Sequence, residues 1–176
     1  MAIVKVKAGK GSLSDVFNYV LDKEKTDDTL IAGNNCMTET AQKEFEIVKH
    51  RFSKTDGRTY FHIVQSFSPE DDITPYEANN LGLEFAGFFE GYQTLVVTHT
   101  NREHLHNHII VNSVSYESGR KLHMEKEDLY SLKNYSNKLC DKYGLSKTET
   151  DTRAGKVQKW KKDLIHTAFL ALAYTD

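Results

Sequence analysis

Residues 99–112, HTNREHLHNHIIVN, hold four of the chain's eight histidines. His104, His106 and His108 recur at a spacing of two. Alternate residues of a β-strand project to one face, so the three imidazoles point the same way. Leu105, Ile109 and Val111 then turn to the other face, where a helical layer can bury them. His99 ends a preceding β-type run over 95–100, and a short polar turn brings it beside the start of the strand over 105–114. The stretch reads as strand, turn, strand, with one chemical face and one core face. Imidazole ligates divalent metals readily. Three nitrogen ligands on neighbouring strands leave coordination positions for water and substrate oxygens, a catalytic arrangement, whereas structural zinc sites are closed and usually carry cysteine. The spacing alone leaves open which three of the four histidines bind.

Upstream, 3–7 is a short β run, followed by a glycine-bearing turn at 8–11. Ser12 with Asp15 three residues on resembles a capping box with Asp in place of Glu. Leu13, Val16, Phe17, Val20 and Leu21 then recur at helical spacing. Tyr19 lies roughly 130° from the middle of that stripe at about 100° per residue, off the face expected to be buried. Residues 26–35 read as a polar loop and 39–52 as a helix. Residues 59–67 alternate as a strand, with Phe61, Ile63 and Phe67 on one face and Tyr60, His62, Val64 and Ser66 on the other. His62 is thereby a further candidate to line the histidine site. Thr74, Pro75 and Glu77 supply an N-cap, an N1 proline and an N3 glutamate for a helix to about Phe89.

Downstream, 117–120 suggests a hairpin turn. Residues 127–143 read as a helix closed by Gly144, with Leu145 placed for a Schellman contact. From 155 onward a last helix is expected around Val157, Trp160, Leu164 and Ala168. The order of elements predicts an α+β fold: a mostly antiparallel central sheet of about five strands, some joined by hairpins, covered by helices on one face.

At 39% apolar and 27% charged residues, the composition is that of one globular domain rather than a disordered or membrane-embedded chain. The formal net charge of −2 does not announce a nucleic-acid binder, though local clustering can still build a basic groove. Cys36 and Cys140 have no ligand spacing and read as free thiols. No long apolar run opens the chain, and 168–173 is too short to span a bilayer. A cytoplasmic protein is expected.

HTNREHLHNHIIVN resembles the third motif of conjugative relaxases in the HUH endonuclease superfamily, of the MOB-P type or the similar relaxase/mobilisation nuclease family. NYVLDKEKT at 18–26 resembles the first motif, FHIVQSFSPEDDITPYEA at 61–78 the second strand and following helix, and LKNYSNKLCDKYGLS at 132–146 the closing helix. The resemblance covers 1–146 and implies an HUH-type catalytic domain there, with 147–176 as a helical extension. It implies Tyr19 as nucleophile and His99, His106 and His108 as metal ligands, by their offset. His104 and Asn101 would stand behind the ligands or face DNA. Two departures count: the family often has Asp where Asn101 stands, and an apolar residue is expected between the two histidines of the motif, where Asn107 stands. His104-Leu105-His106 fits that pattern literally, which keeps His104 as an alternative ligand, along with His62.

The implied activity is nicking of one DNA strand at a transfer origin through a 5′-phosphotyrosine, for conjugation or mobilisation. Mn or Mg is the ion expected in use, with Zn or Ni as alternatives. The implied partners are single-stranded and hairpin DNA of the origin, a type IV secretion coupling protein and accessory relaxosome proteins. Basic residues suited to phosphate contact are Lys5, Lys7, Lys23, Lys25, Arg120 and Lys121, with Lys159 beside Trp160 as a stacking and charge pair. Ser66 is a further phosphate-contact candidate. Two rival readings stand beside this one. A replication-initiator type nuclease would use Tyr130 or Tyr135, each in a YxxK on the helix after the histidines. A non-catalytic metal-binding, DNA-binding protein would nick nothing.

Overall fold

The computed structural model describes residues 2–147. Five strands, β1 (Ile3–Gly9), β2 (Ile31–Asn34), β3 (Tyr60–Ser66), β4 (Thr94–His99) and β5 (His106–Asn112), form one sheet in the order β1-β3-β5-β4-β2. Every neighbouring pair is antiparallel. Four helices, α1 (Leu13–Val20), α2 (Ala41–Arg51), α3 (Pro75–Ala86) and α4 (Lys126–Lys142), complete the described residues together with a 3-10 turn at Asp28–Leu30. None of these helices is long and apolar enough to cross a membrane. The expected helix beyond residue 155, with Lys159 and Trp160, lies outside the described residues.

The sheet register sorts side chains into two faces. One row runs Lys5, Val64, His108, Val97, Ile31, and the next runs Ile3, Ser66, His106, His99. Residues opposite one another across a ladder share a face, so these rows form one surface. On the other surface Phe61, Ile63, Val96, Ile109 and Val111 pack against Ala78, Leu81 and Phe85 of α3 and Leu132, Leu139 and Cys140 of α4.

Helices cover both faces, which corrects the expectation of a single helical layer. Below the histidines their own face turns apolar: Tyr60, Leu95, Val97 and Ile110 receive Leu13, Val16, Phe17 and Val20 of α1 and Ala41 and Phe45 of α2. A stripe like that of α1 must be buried against something, and the lower part of the histidine face receives it.

Local signals set most boundaries. Thr74 Oγ1 accepts from the Glu77 backbone N–H at 3.2 Å, and the Glu77 carboxylate accepts from the Thr74 N–H at 2.9 Å. This reciprocal cap is worth about 1 kcal/mol. The helix it starts ends at Ala86, three residues before the expected end, because Gly87, Phe88 and Phe89 close turns of three-residue reach. At the end of α4, Gly144 adopts φ +69°. Its N–H reaches the Asp141 carbonyl at 3.1 Å and that of Leu145 the Cys140 carbonyl at 2.8 Å, the Schellman pattern expected. Ser12 does cap α1, but its hydroxyl accepts from Ser14 N–H at 3.1 Å and no reciprocal Asp15 bond accompanies it. Residues 26–35, read as loop, contain the 3-10 turn and the edge strand β2. Among the described strands only β4 and β5 are joined directly. The 117–120 turn closes a single bridge between Val114 and Lys121.

Asn107 explains its own departure from an apolar pattern. It lies on the face opposite His106 and His108 and is fully buried. Its Oδ1 accepts from the Thr98 hydroxyl at 2.7 Å, and its Nδ2 donates to the Ala78 carbonyl at 2.7 Å and to Gln65 Oε1 at 3.2 Å. Gln65 Nε2 goes on to Ser136 Oγ, and Asn79 Nδ2 donates to Thr98 Oγ1. One amide thus ties β3, β4, α3 and, through Gln65, α4 to the centre of β5. Gly82 lets α3 lie this close, because a Cβ there would meet Asn107 Nδ2 at 2.6 Å. Replacing Asn107 by Leu leaves the Thr98 hydroxyl and two acceptors buried without their partner. We expect a loss of about 2–4 kcal/mol, read as a lower urea midpoint at unchanged slope.

Candidate active site

The hairpin β4–β5 and the rows of the sheet bring His99, His106 and His108 together, with one ligating nitrogen from each lying within 4.8 Å of the others. All three are buried, at 2% exposure or less. His99 Nε2 lies 2.8 Å from the Val20 carbonyl and His106 Nδ1 lies 3.3 Å from the His104 carbonyl. A carbonyl only accepts, so the protons sit on those nitrogens. This leaves His99 Nδ1 and His106 Nε2 as lone pairs. His108 Nδ1 is engaged with His62 Nε2 at 2.8 Å, and His108 Nε2 is buried without a hydrogen-bond partner. A buried nitrogen without a partner beside these two lone pairs fits a divalent ion.

Burial pushes the His99 imidazole down to about 4 and His106 and His62 to about 3, and holds His108 well below the ordinary range. Mutual repulsion within the cluster adds to this for His62, His106 and His108. The four rings are therefore neutral near pH 7, the form that ligates metal.

Tyr19 stands on the last turn of α1, which places it off the buried stripe as expected, yet it is half-buried. Its ring leans onto Val64 and meets His108 edge-on at 5.6 Å between centroids, with His99 at 6.1 Å. The end of the helix is held there by the same His99 bond, since Val20 offers one of the carbonyls a helix leaves unpaired at its C-terminus. Lys25 Nζ lies 4.4 Å from the centre of the Tyr19 ring and 2.8 Å from the Asp22 carboxylate. The Lys25 hydrogen bond is the first cause of the lowered Asp22 pKa. Two bonds stitch this turn to the end of β4: Thr100 N–H to the Lys25 carbonyl at 2.9 Å, and the Thr26 hydroxyl to the Thr98 carbonyl at 2.7 Å. The sequence pointed to Lys25 as a basic residue but gave no sign of Asp22 as its anchor.

Other candidates scatter. Ser66 sits opposite His106 in the ladder, with its buried hydroxyl lacking a partner. Lys5 and Lys7 lie on the histidine face of edge strand β1, opposite Val64 and His62. Lys23 is exposed and paired with Asp28. His104 is buried in the turn before β5, but its ring is outside the group of three, and Asn101 is exposed in the same turn. The structural group is therefore His106-Asn107-His108, not His104-Leu105-His106. Arg120 and Lys121 follow the far end of β5, about 20 Å along the strand from His106 at 3.3 Å per residue, and Lys121 binds the Asp56 backbone carbonyl. Tyr135 packs in the core on the opposite side of the sheet and donates to the Glu84 carbonyl at 3.2 Å; Tyr130 is exposed on the same helix. Neither α4 tyrosine joins the histidines. Cys36 and Cys140 are free thiols.

Residues 19–145 match the family model for relaxases described as MobA/VirD2-like, nuclease domain. The chain belongs to this relaxase family. Protein rlx of Staphylococcus aureus is 30% identical over 178 residues, covering 94% of this chain and 52% of its own length. The group II intron-interrupted relaxase LtrB of Lactococcus lactis subsp. cremoris (strain MG1363) is 27% identical over 205 residues, covering 91% of this chain and 36% of its own. The chain thus spans about half, or less, of the curated relatives it matches. Among solved structures, the MobM relaxase domain, described as bound to plasmid pMV158 oriT DNA with Mn, superposes with a TM-score of 0.63 at 10% identity, covering 92% of this chain and 97% of that one. That likeness shows a relaxase-domain fold.

The neutral histidine cluster makes stability depend on pH. Each folded-state pKa lies below the unfolded value near 6.5, so on acidification the unfolded chain takes up protons first. The contribution is whole above pH 6.5. It is lost as pH falls from 6.5 to about 4 for His99, and to about 3 for His62 and His106. The slope is about 1.4 kcal/mol per pH unit for each histidine. Urea titrations of the metal-free relaxase domain at pH 7, 6 and 5 should show a steadily falling midpoint; a flat midpoint contradicts neutral burial.

Proposed function

We propose that this chain nicks one strand of transfer-origin DNA through Tyr19, and that His99, His106 and His108 hold a divalent ion there. The observation that carries the reading is the Tyr19 ring set edge-on against His108 on the face where ring nitrogens of three histidines converge. The Tyr19 hydroxyl attacks the scissile phosphorus, and the bond to the 3′ oxygen breaks. The products are a 5′-phosphotyrosine and a 3′-OH, with the phenolic proton lost and one gained by the leaving oxygen. The ester bond is exchanged rather than hydrolysed, so the reverse reaction reseals the strand. A divalent ion in this site supplies charge that polarises the phosphate and favours the phenolate, whose ordinary pKa is about 10. Mn or Mg suits that role, in keeping with the Mn described for MobM.

Lys25 adds a second positive charge beside the ring, and the Ser66 hydroxyl, beside His106, is suited to a phosphate oxygen. Lys5 and Lys7 continue the basic surface along β1 for the bound strand. Single-stranded and hairpin origin DNA, a type IV secretion coupling protein and accessory relaxosome proteins are the partners this reading assigns to the full-length protein. Residues 147–176 would extend the DNA contact through Lys159 and Trp160. A replication-initiator use of Tyr130 or Tyr135 is disfavoured by their position on α4.

The test incubates the chain with Mn²⁺ or Mg²⁺ and single-stranded oligonucleotides from its own element's transfer origin, and reads the covalent adduct on a denaturing gel. Tyr19→Phe should lower adduct formation by at least about 10³-fold, while Tyr130→Phe and Tyr135→Phe leave it unchanged. Retention in Tyr19→Phe with loss in either of the others assigns the initiator mechanism instead. No adduct with any cognate strand or ion leaves a non-catalytic binding protein.

A further inference from the structure

Two of the three proposed ligands have their ring protons fixed by backbone. The carbonyls of Val20 and His104 can only accept, so His99 and His106 each keep one lone pair for an ion. His108 has no such carbonyl. Its Nδ1 faces another imidazole, that of His62, at 2.8 Å, with ring centroids 5.0 Å apart. A neutral imidazole has one donor and one acceptor, so this bond can run either way. If His62 donates, His108 carries its proton on Nε2, and the nitrogen aimed into the cluster is blocked. If His108 donates, its Nε2 is a lone pair. Both directions leave His62 Nδ1 buried and without a partner, so that atom does not decide between them.

We propose that His62 is the positioning residue of the metal site, accepting from His108 Nδ1–H and thereby presenting His108 Nε2 as the third ligand. This rests on the reading of His99, His106 and His108 as ligands. Ligating histidines almost always pass their second N–H to a carboxylate, a backbone carbonyl or water. Here the acceptor is a neutral imidazole on the neighbouring strand β3, fully buried, reached diagonally across the β3–β5 ladder in which Val64 is the direct partner of His108. His62 is not itself one of the converging ligands, because its Nε2 is spent on His108. A neutral acceptor orients the ligand without adding negative charge, so the ion's attraction for phosphate is undiminished.

Mn²⁺ binding to the whole metal-free chain, followed by titration calorimetry, tests this. His62→Leu fills the space without an acceptor and should weaken Mn²⁺ binding by about 10- to 100-fold. His62→Gln places an amide oxygen near the lost Nε2 and should keep most of the affinity. Circular dichroism of the metal-free variants confirms that both fold. Unchanged binding in His62→Leu, or equal loss in a folded His62→Gln, overturns the proposal. Should His62→Leu fail to fold, the wild-type chain loaded with Zn²⁺ still decides by long-range ¹H–¹⁵N spectra of the histidine rings. The proton is expected on His108 Nδ1; a proton on His108 Nε2, or a metal-shifted His62 nitrogen, overturns it. Wild-type chain that binds no divalent ion removes the ligand reading as well. Loss of binding in His99→Ala and His106→Ala but not in His62→Leu removes only the role of His62.

Discussion

The hydrogen bond from His99 Nε2 to the Val20 carbonyl joins the two halves of the site. Val20 is the last residue of α1 and His99 the last of β4, so one 2.8 Å contact sets where the tyrosine's helix ends relative to the histidine sheet. It also satisfies a helix carbonyl that would otherwise be unpaired, fixes the proton on His99, and leaves Nδ1 with its lone pair. The turn that follows, from Asp22 to Thr26, is then bonded to β4 on either side of His99. Lys25 comes to stand over Tyr19 as a result. Tyr19, His99 and Lys25 hold their relation through backbone, which limits how far any of them drifts.

A second constraint works from behind. The histidine face of β5 is level only if β5 pairs in register with β3 and β4, and Asn107 fixes that register from the far face. His106 and His108 flank it in sequence and point the other way. The buried amide makes three bonds to fixed partners, and any shift of pairing strands them. Asn112, at the other end of β5, does a similar service for α2. It accepts from the buried Lys49 ammonium at 2.6 Å and donates to the Phe45 carbonyl and to Gln93. Burial lowers the Lys49 pKa to about 8.

Much of this was legible in the chain itself. Spacing of two made the histidine strand readable, and the cap of α3 and the close of α4 follow from Thr74, Pro75 and Glu77 and from Gly144 and Leu145, because those signals act within a few residues. What could not be read depends on distant partners. β2 has four residues, including a glycine and an asparagine, and becomes a strand only because β4 offers an edge. The second helical layer was missed because period-two alternation on β3 and β5 says which residues share a face, not how far along that face the chemistry ends and the core begins. Asn107 looked like a departure from pattern, since nothing local announces Thr98, Gln65 and Ala78 around it. Spacing alone left open which of the four histidines converge; the resemblance favoured His106 and His108, and the ladder places His106 opposite His99 and leaves His104 in the turn.

The division of β5 between two faces bears on how this domain can change over generations. A residue inserted within 106–112 would exchange the faces, burying an imidazole among the α3 side chains and turning the amide toward the remaining histidines, so fold and site would fail in one step. The middle of the connection at 100–105 carries no such coupling. Asn101, Arg102 and Glu103 are exposed, and loops of this kind accept insertions at small entropic cost. Sequence change is therefore expected to collect in that turn, directly at the rim of the histidine cluster.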